Sequence, residues 1–158
     1  MSEQVALITG GSRGIGKACA KELAKAGFDI AVIYAGNEAA ANETVSELKA
    51  MNVEAEAYKC DVSDAESVNE CVAKVMEKFG RIDVLVNNAG ITRDNLMLRM
   101  NHDDWNAVIN TNLTGAFNMT KPIVKIMMKQ RSGSIVNMSS IVGGKGNEGQ
   151  ANYSAAKA

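Results

Sequence analysis

Histidine occurs once in this chain of 158 residues, at His102, and cysteine three times, at Cys19, Cys60 and Cys71, with no CxxC spacing. One imidazole gives a metal no ligand set and leaves a Ser-His-Asp triad nothing to stand on, so no metal site is predicted. Three unpaired cysteines read as small buried hydrophobes of a reducing compartment, not as bridges or ligands. No sign of charge dominates: the net charge of -1 removes a global electrostatic case for nucleic acid or a membrane surface. No apolar run approaches the roughly 18 residues of a membrane span. Met1-Ser2-Glu3-Gln4 lacks the basic-then-apolar pattern of a signal peptide. A cytoplasmic protein is expected. No internal repeat, low-complexity tract or linker interrupts the chain, and Pro122 is its one proline. Hydrophobic residues at 46% and charged residues at 22% argue against disorder. The length suits one domain with a core, residues 1–158, and not two.

Apolar, β-branched runs alternate with stretches of helical period. Val5 to Ile8, Ile30 to Ile33, Val53 to Cys60, Ile82 to Val86 and Ser134 to Met138 read as strands. The first, second and fourth are nearly continuously apolar, as strands covered on both faces are. Ile15 to Ala26, Glu38 to Met51, Ala65 to Phe79 and Asp103 to Gln130 read as helices. Ser63 with Glu66 forms a capping box for the third helix, and Gly27 and Gly80 follow helix ends. Pro122 inside the long fourth helix predicts a kink or a first turn. The alternation predicts the α/β class: a Rossmann-like, doubly wound parallel sheet in three α/β/α layers.

The first strand runs directly into Thr9-Gly10-Gly11-Ser12-Arg13-Gly14-Ile15-Gly16, which opens the first helix. Glycines there let the backbone turn sharply and approach a pyrophosphate, and the free N–H groups at the helix start attract the anion. A tight turn without a ligand is the plain alternative. Gly11 to Lys17 also fits the start of a P-loop, GxxxxGK, but Ala18 stands where a magnesium ligand is required. The second strand ends Tyr34-Ala35-Gly36-Asn37, with no acid before Glu38 to bind a ribose 2′-hydroxyl. Arg13 offers a guanidinium for a 2′-phosphate, so NADP(H) is expected over NAD(H).

Tyr153 and Lys157 are four apart and share one face if helical. An ammonium beside a phenol favours its ionised form and fits it for acid–base work. A serine such as Ser140 can hold a carbonyl oxygen as charge develops on it, and the adjoining Ser139 offers the same chemistry.

The glycine spacing, Asp61-Val62, Asn87-Asn88-Ala89-Gly90, Thr111-Asn112-Leu113, Ser140 and Tyr153-Ser-Ala-Ala-Lys157 together resemble, in order along the whole chain, the short-chain dehydrogenase/reductase family. The resemblance implies that Gly10, Ser12, Arg13, Gly14, Ile15, Gly16 and Asn37 bind the cofactor. It implies that Asp61 and Val62 cradle the adenine, that Asn88, Ala89 and Gly90 line the cofactor, and that Lys157 binds the nicotinamide ribose beside Tyr153. Asn112, Ser140, Tyr153 and Lys157 are the implied catalytic set, Asn112 positioning a water that relays protons to the lysine. The spacing of thirteen residues to Tyr153 selects Ser140 over Ser139 by this resemblance.

Ile91-Thr-Arg-Asp-Asn-Leu96, Met127 to Gly133 and Gly149 to Tyr153 resemble the 3-oxoacyl-(acyl-carrier-protein) reductases within that family. That implies NADPH-dependent reduction of a 3-oxoacyl group to the (3R)-3-hydroxyacyl group in fatty-acid synthesis, an acyl carrier protein as partner and a homotetramer. Arg131 matches a carrier-docking arginine. Lys121, Lys125 and Lys129 form either a basic stripe for an acidic carrier or an ordinary solvated face. A family domain continues through two more strands, so the chain reads as C-terminally truncated or partly given, with the fifth strand as an unpaired edge. On that reading a chain ending at Ala158 is expected to bind cofactor poorly and to be inactive. The alternatives are a non-catalytic dinucleotide-binding fragment, or a reductase of another small carbonyl compound.

Overall fold

A computed structural model describes residues 4–158; the leader reading of Met1–Gln4 rests on Met1, Ser2 and Glu3, which lie outside the described residues. Five parallel strands, β1 (Val5–Thr9), β2 (Asp29–Tyr34), β3 (Ala55–Lys59), β4 (Val84–Asn87) and β5 (Ser134–Asn137), pair in the order β3-β2-β1-β4-β5. Helices α1 (Gly14–Lys25), α2 (Glu38–Lys49) and α3 (Ala65–Phe79) alternate with the first strands. The fold is α/β, Rossmann-like, with helices on both faces of the sheet.

Period-two side-chain alternation builds the two cores. On β1 and β2, Leu7, Ala31 and Ile33 point to one face, where they meet Val68, Val72 and Val75 of α3. Ala6, Ile8, Ile30 and Val32 point to the other, against Ala20 and Ala24 of α1 and Leu48 of α2. Strands β1 and β2 are buried throughout, as their continuous apolar runs predict, whereas β5 is an edge strand with exposed Ser134, Val136 and Asn137. Cys60 and Cys71 are buried in the α3 core; Cys19 is only half-buried.

After β3 the chain crosses back to lay β4 beside β1. This reversal opens a crevice at the C-terminal ends of β1 and β4, the place where open α/β sheets take ligands. The glycine loop and the Asn87–Gly90 turn both leave the sheet there.

Two local expectations change. The cap of α3 is Asp64, whose carboxylate accepts from Glu66 N at 3.0 Å; Ser63 instead donates its N–H and hydroxyl to Asp61 Oδ1. The Ser63–Glu66 box is therefore not formed, because Asp61 draws Ser63 into the preceding turn. Gly80 does end α3, in the left-handed region at φ 76°. The single long helix is three pieces: α4 (His102–Ile109), a π turn (Asn110–Thr114) and α5 (Gly115–Gln130). Pro122 falls inside α5 and not in a first turn. Burial of Met119, Ile123 and Met127 holds the helix through it, despite the N–H that proline cannot give to the Asn118 carbonyl. Beyond β5, the chain forms α6 (Ile141–Lys145) and α7 (Ala151–Lys157).

Candidate active site

The crevice is held together by side chains at the ends of β1 and β4. The Thr9 hydroxyl accepts from Asn88 N at 3.0 Å and Ala89 N at 2.9 Å, and donates to the Val86 carbonyl at 3.3 Å. The Asn88 amide returns the connection, donating from Nδ2 to Thr9 O at 3.0 Å and Gly10 O at 3.2 Å. Gly16 fits beneath this staple only because it has no side chain: a Cβ there would sit 2.2 Å from Gly10 O and 2.6 Å from Asn88 Nδ2.

Arg13 is the N-cap of α1 and makes no side-chain cap hydrogen bond, so the helix start presents backbone N–H groups toward the crevice. Gly10 and Gly14 both have positive φ, at 64° and 54°. The Ser12 carbonyl accepts from the buried Thr44 hydroxyl of α2 at 3.0 Å. Lys17, the residue a P-loop would aim at phosphate, pairs instead with Glu47 at 3.0 Å and Glu43 at 3.6 Å on α2. Those hydrogen bonds raise the Lys17 pKa, with Glu47 the larger cause. Lys21 also reaches Glu47, at 2.7 Å, and the two lysines hold the Glu47 carboxyl at about 2. The magnesium-phosphate alternative loses its lysine as well as its metal ligand.

One cleft of about 530 Å³ gathers Arg13 and Ile15 from the glycine loop, Asn88 and Gly90 after β4, Met138 and Ser139 after β5, and Tyr153 and Lys157 of α7. A second, of about 570 Å³, adjoins it through Met138, Ser139 and Lys157 and carries Asn112 on its wall. Lys157 Nζ donates to the Met138 carbonyl at 2.7 Å, and burial lowers the pKa of its ammonium. Tyr153 is half-buried in the same cleft.

Tyr153 and Lys157 owe their place to Asn152, which the motif reading did not single out. Asn152 is fully buried; its Nδ2 donates to the Arg93 and Asp104 carbonyls at 3.0 and 3.3 Å, which docks α7 on α4 and on the loop after β4. Its burial has no signature in the sequence, where it is one more polar residue before Tyr153.

The two serines divide. Ser139 lines the cleft, but its hydroxyl proton is committed to the Lys157 carbonyl at 2.9 Å. Ser140 caps α6, accepting from Val142 N at 3.4 Å, and is not among the residues lining the cleft. Acceptance leaves the Ser140 hydroxyl proton free to donate.

Asn112 sits in the π turn with its side chain bound to the Ile91 backbone, Oδ1 accepting from N at 2.7 Å and Nδ2 donating to O at 2.9 Å. The wider turn, closed by Gly115 N on Asn110 O, brings that amide to the loop. Asn37 caps α2, accepting from Ala40 N at 2.9 Å. Asp61 holds Ser63, and the Val62 carbonyl accepts from Asn118 Nδ2. Asn37, Asp61 and Val62 stand apart from the cleft walls. Arg131, exposed, ends α5 in the left-handed region at φ 56°. Lys121, Lys125 and Lys129 are exposed, with Lys121 Nζ lying 5.8 Å from the Phe117 ring centroid. Among the described residues no group of three or more metal-ligating side chains converges, and no helix is long and apolar enough to cross a membrane.

The sequence model of a family described as short chain dehydrogenase matches residues 4–158. The chain is similar to a 3-oxoacyl-(acyl-carrier-protein) reductase of Synechocystis sp., 54% identical over 158 residues, covering all of this chain and 64% of the relative. It is similar to the 3-oxoacyl-(acyl-carrier-protein) reductase FabG of Staphylococcus aureus, 51% identical over 153 residues, covering 97% of this chain and 62% of that protein. An acetoacetyl-CoA reductase of Shinella zoogloeoides is 55% identical over 155 residues, covering 98% and 62%. The chain thus spans less than two thirds of the length of these curated relatives.

Proposed function

The chain belongs to the short chain dehydrogenase family, and from that premise we propose that it reduces a 3-oxoacyl group on acyl carrier protein to the (3R)-3-hydroxyacyl group with NADPH. The observation that carries this reading is the convergence in one cleft of Arg13, Ile15, Asn88 and Gly90 with Tyr153 and Lys157. A nicotinamide dinucleotide fits the residues present: the α1 start has no side-chain cap, and the space a Gly16 Cβ would fill keeps the loop closed over it. When bound, the reduced cofactor supplies a hydride to the substrate carbonyl carbon.

The chain's own residues manage the oxygen and its proton. Tyr153 donates its phenolic proton to the carbonyl oxygen as negative charge gathers there. The Ser140 hydroxyl, free to donate, stabilises the same oxygen. Lys157 holds the ribose from the floor of the cleft, and its ammonium favours release of the Tyr153 proton. The side chain of Asn112 gives Oδ1 and one Nδ2 hydrogen to the Ile91 backbone, and its second Nδ2 hydrogen is left to position the water of a proton relay. Gly10, Ser12, Gly14 and Ala89 shape the cofactor's seat; Asn37, Asp61 and Val62 border its adenosine end. The acid-free end of β2 and the Arg13 guanidinium favour the 2′-phosphate of NADP(H). Arg131 receives the acidic carrier, in a cytoplasmic homotetramer.

The test is NADPH oxidation with acetoacetyl thioesters on carrier protein and on coenzyme A. Turnover on the carrier thioester, weakened by Arg131→Glu with free thioesters unaffected, supports the reading. Dinucleotide binding without any turnover favours a non-catalytic binding module. The acetoacetyl-CoA reductase relative supports a second reading, in which the coenzyme A thioester is the better substrate.

A further inference from the structure

Thr44 lies on α2 and is fully buried. A threonine inside a helix ordinarily satisfies its hydroxyl on a carbonyl of its own preceding turn. Thr44 donates instead across the layer to the Ser12 carbonyl, at 3.0 Å. That oxygen belongs to the peptide that carries the Arg13 N–H, and in a planar trans peptide the two point in opposite directions. Fixing the carbonyl toward α2 therefore fixes the Arg13 N–H on the other side. No hydrogen bond to that N–H is made among the described residues, and the Arg13 side chain lines the cleft. The same helix pair is tied again by Glu47, which accepts Lys17 at 3.0 Å and Lys21 at 2.7 Å.

We propose that Thr44 is a positioning residue: through Ser12 it sets the orientation of the Arg13 peptide and guanidinium toward the phosphates of a 2′-phosphorylated dinucleotide. This rests on the NADPH reading above. It extends that reading to a residue that touches no cofactor and lies on a different helix from the phosphate loop.

The experiment is fluorescence titration of the wild-type chain, Thr44→Val and Thr44→Ser with NADPH and, separately, with NADH, alongside thermal melting. Valine keeps the shape and removes the donor. Losing one hydrogen bond that orients a charged contact is expected to raise the NADPH Kd about three- to tenfold and to raise the NADH Kd less. Serine should restore both to within about twofold of wild type, since it keeps the donor. A merely structural role predicts a lower melting temperature with both dinucleotides weakened by the same factor. That outcome overturns the proposal, as does unchanged binding in Thr44→Val. A wild-type chain that binds neither dinucleotide overturns the NADPH reading and takes this one with it. If the valine variant does not fold, Thr44→Ala against Thr44→Ser makes the same comparison.

Discussion

Gly16→Ala is expected to destabilise the chain and to weaken dinucleotide binding, although alanine is the better helix former. The position lies in the first turn of α1, where exchanging glycine for alanine gains up to about 1 kcal/mol of helix propensity. Against this stands the added methyl. It would lie 2.2 Å from Gly10 O, 2.8 Å from Gly10 C and 2.6 Å from Asn88 Nδ2. Ordinary carbon contacts begin near 3.4 Å, so the Gly10 peptide must retreat by about 1 Å. Gly10 cannot retreat without stretching its 3.2 Å bond to Asn88, which also holds Thr9. Overpacking of this kind costs roughly 1–3 kcal/mol, which exceeds the propensity gain over most of its range. At roughly 2–4 °C per kcal/mol, the melting temperature falls by several degrees. Gly14→Ala is the control: its Cβ meets nothing within 4 Å, and its cost comes only from φ 54°, about 1–2 kcal/mol for a side chain in the left-handed region. Both variants are to be melted with and without NADPH. Ligand-dependent stabilisation should collapse in Gly16→Ala, where the loop itself is displaced, and persist in part in Gly14→Ala. A Gly16→Ala chain that melts and binds as wild type refutes the argument, because the contacts leave no direction in which the methyl fits unaided.

Three further outcomes are expected. In a form of the protein that turns over substrate, Tyr153→Phe should lose turnover while retaining NADPH binding, because it deletes the proton donor and little contact area; near-normal turnover in the assay of NADPH oxidation removes Tyr153 from the chemistry. Ser140→Ala should lower kcat about 100-fold, and Ser139→Ala, whose proton already serves the Lys157 carbonyl, much less; the reverse order would make Ser139 the oxygen-binding serine. Glu47→Gln should lower the melting temperature at neutral pH. The folded carboxyl sits at about 2 against an ordinary 4.5, so its contribution is present above 4.5 and lost as pH falls toward 2. Melts of both chains should converge across that window, and a gap that persists at its acid end contradicts the linkage.

The layers were legible because strand burial writes itself into composition. The apolar runs of β1, β2 and β4 occupy the sheet centre, and less apolar β3 and β5 its edges. The bounds of α3 were legible for a related reason, since apolar period and Gly80 agree at its end. Its first residue, Ala65, stands where expected, and only the capping residue lies one position later, at Asp64 in place of Ser63. Asp64 and Ser63 are both good caps by type, and only the competing Asp61 carboxylate decides between them. The π turn had no signature in hydrophobic period, because one extra residue per turn barely shifts an apolar stripe over a stretch this short. It comes with a contact between residues 91 and 112, which local pattern does not carry.

The candidate site was legible in part: Arg13, Ile15, Asn88, Gly90, Tyr153 and Lys157 share the cleft, whereas Asn37, Asp61, Val62 and Ser140 do not line it, and the geometry gives the reason. A parallel strand that ends at a crevice must turn into a loop, and each such turn leaves backbone donors and acceptors unpaired away from water. Polar side chains are required there whether or not a ligand binds. Asn88 serves Thr9 and Gly10, Asn112 serves Ile91, Asn37 serves Ala40, and Asp61 serves Ser63. Asn37, Asn88 and Asp61 were expected to bind or line the cofactor and Asn112 to position a water, and each also forms side-chain hydrogen bonds with neighbouring groups of the loops. Part of their effect on a bound dinucleotide then passes through the backbone groups they orient. It follows that replacing them will perturb loop geometry and binding together, whereas Tyr153, held in place by Asn152 and not by its own hydroxyl, can lose its chemistry while its position survives.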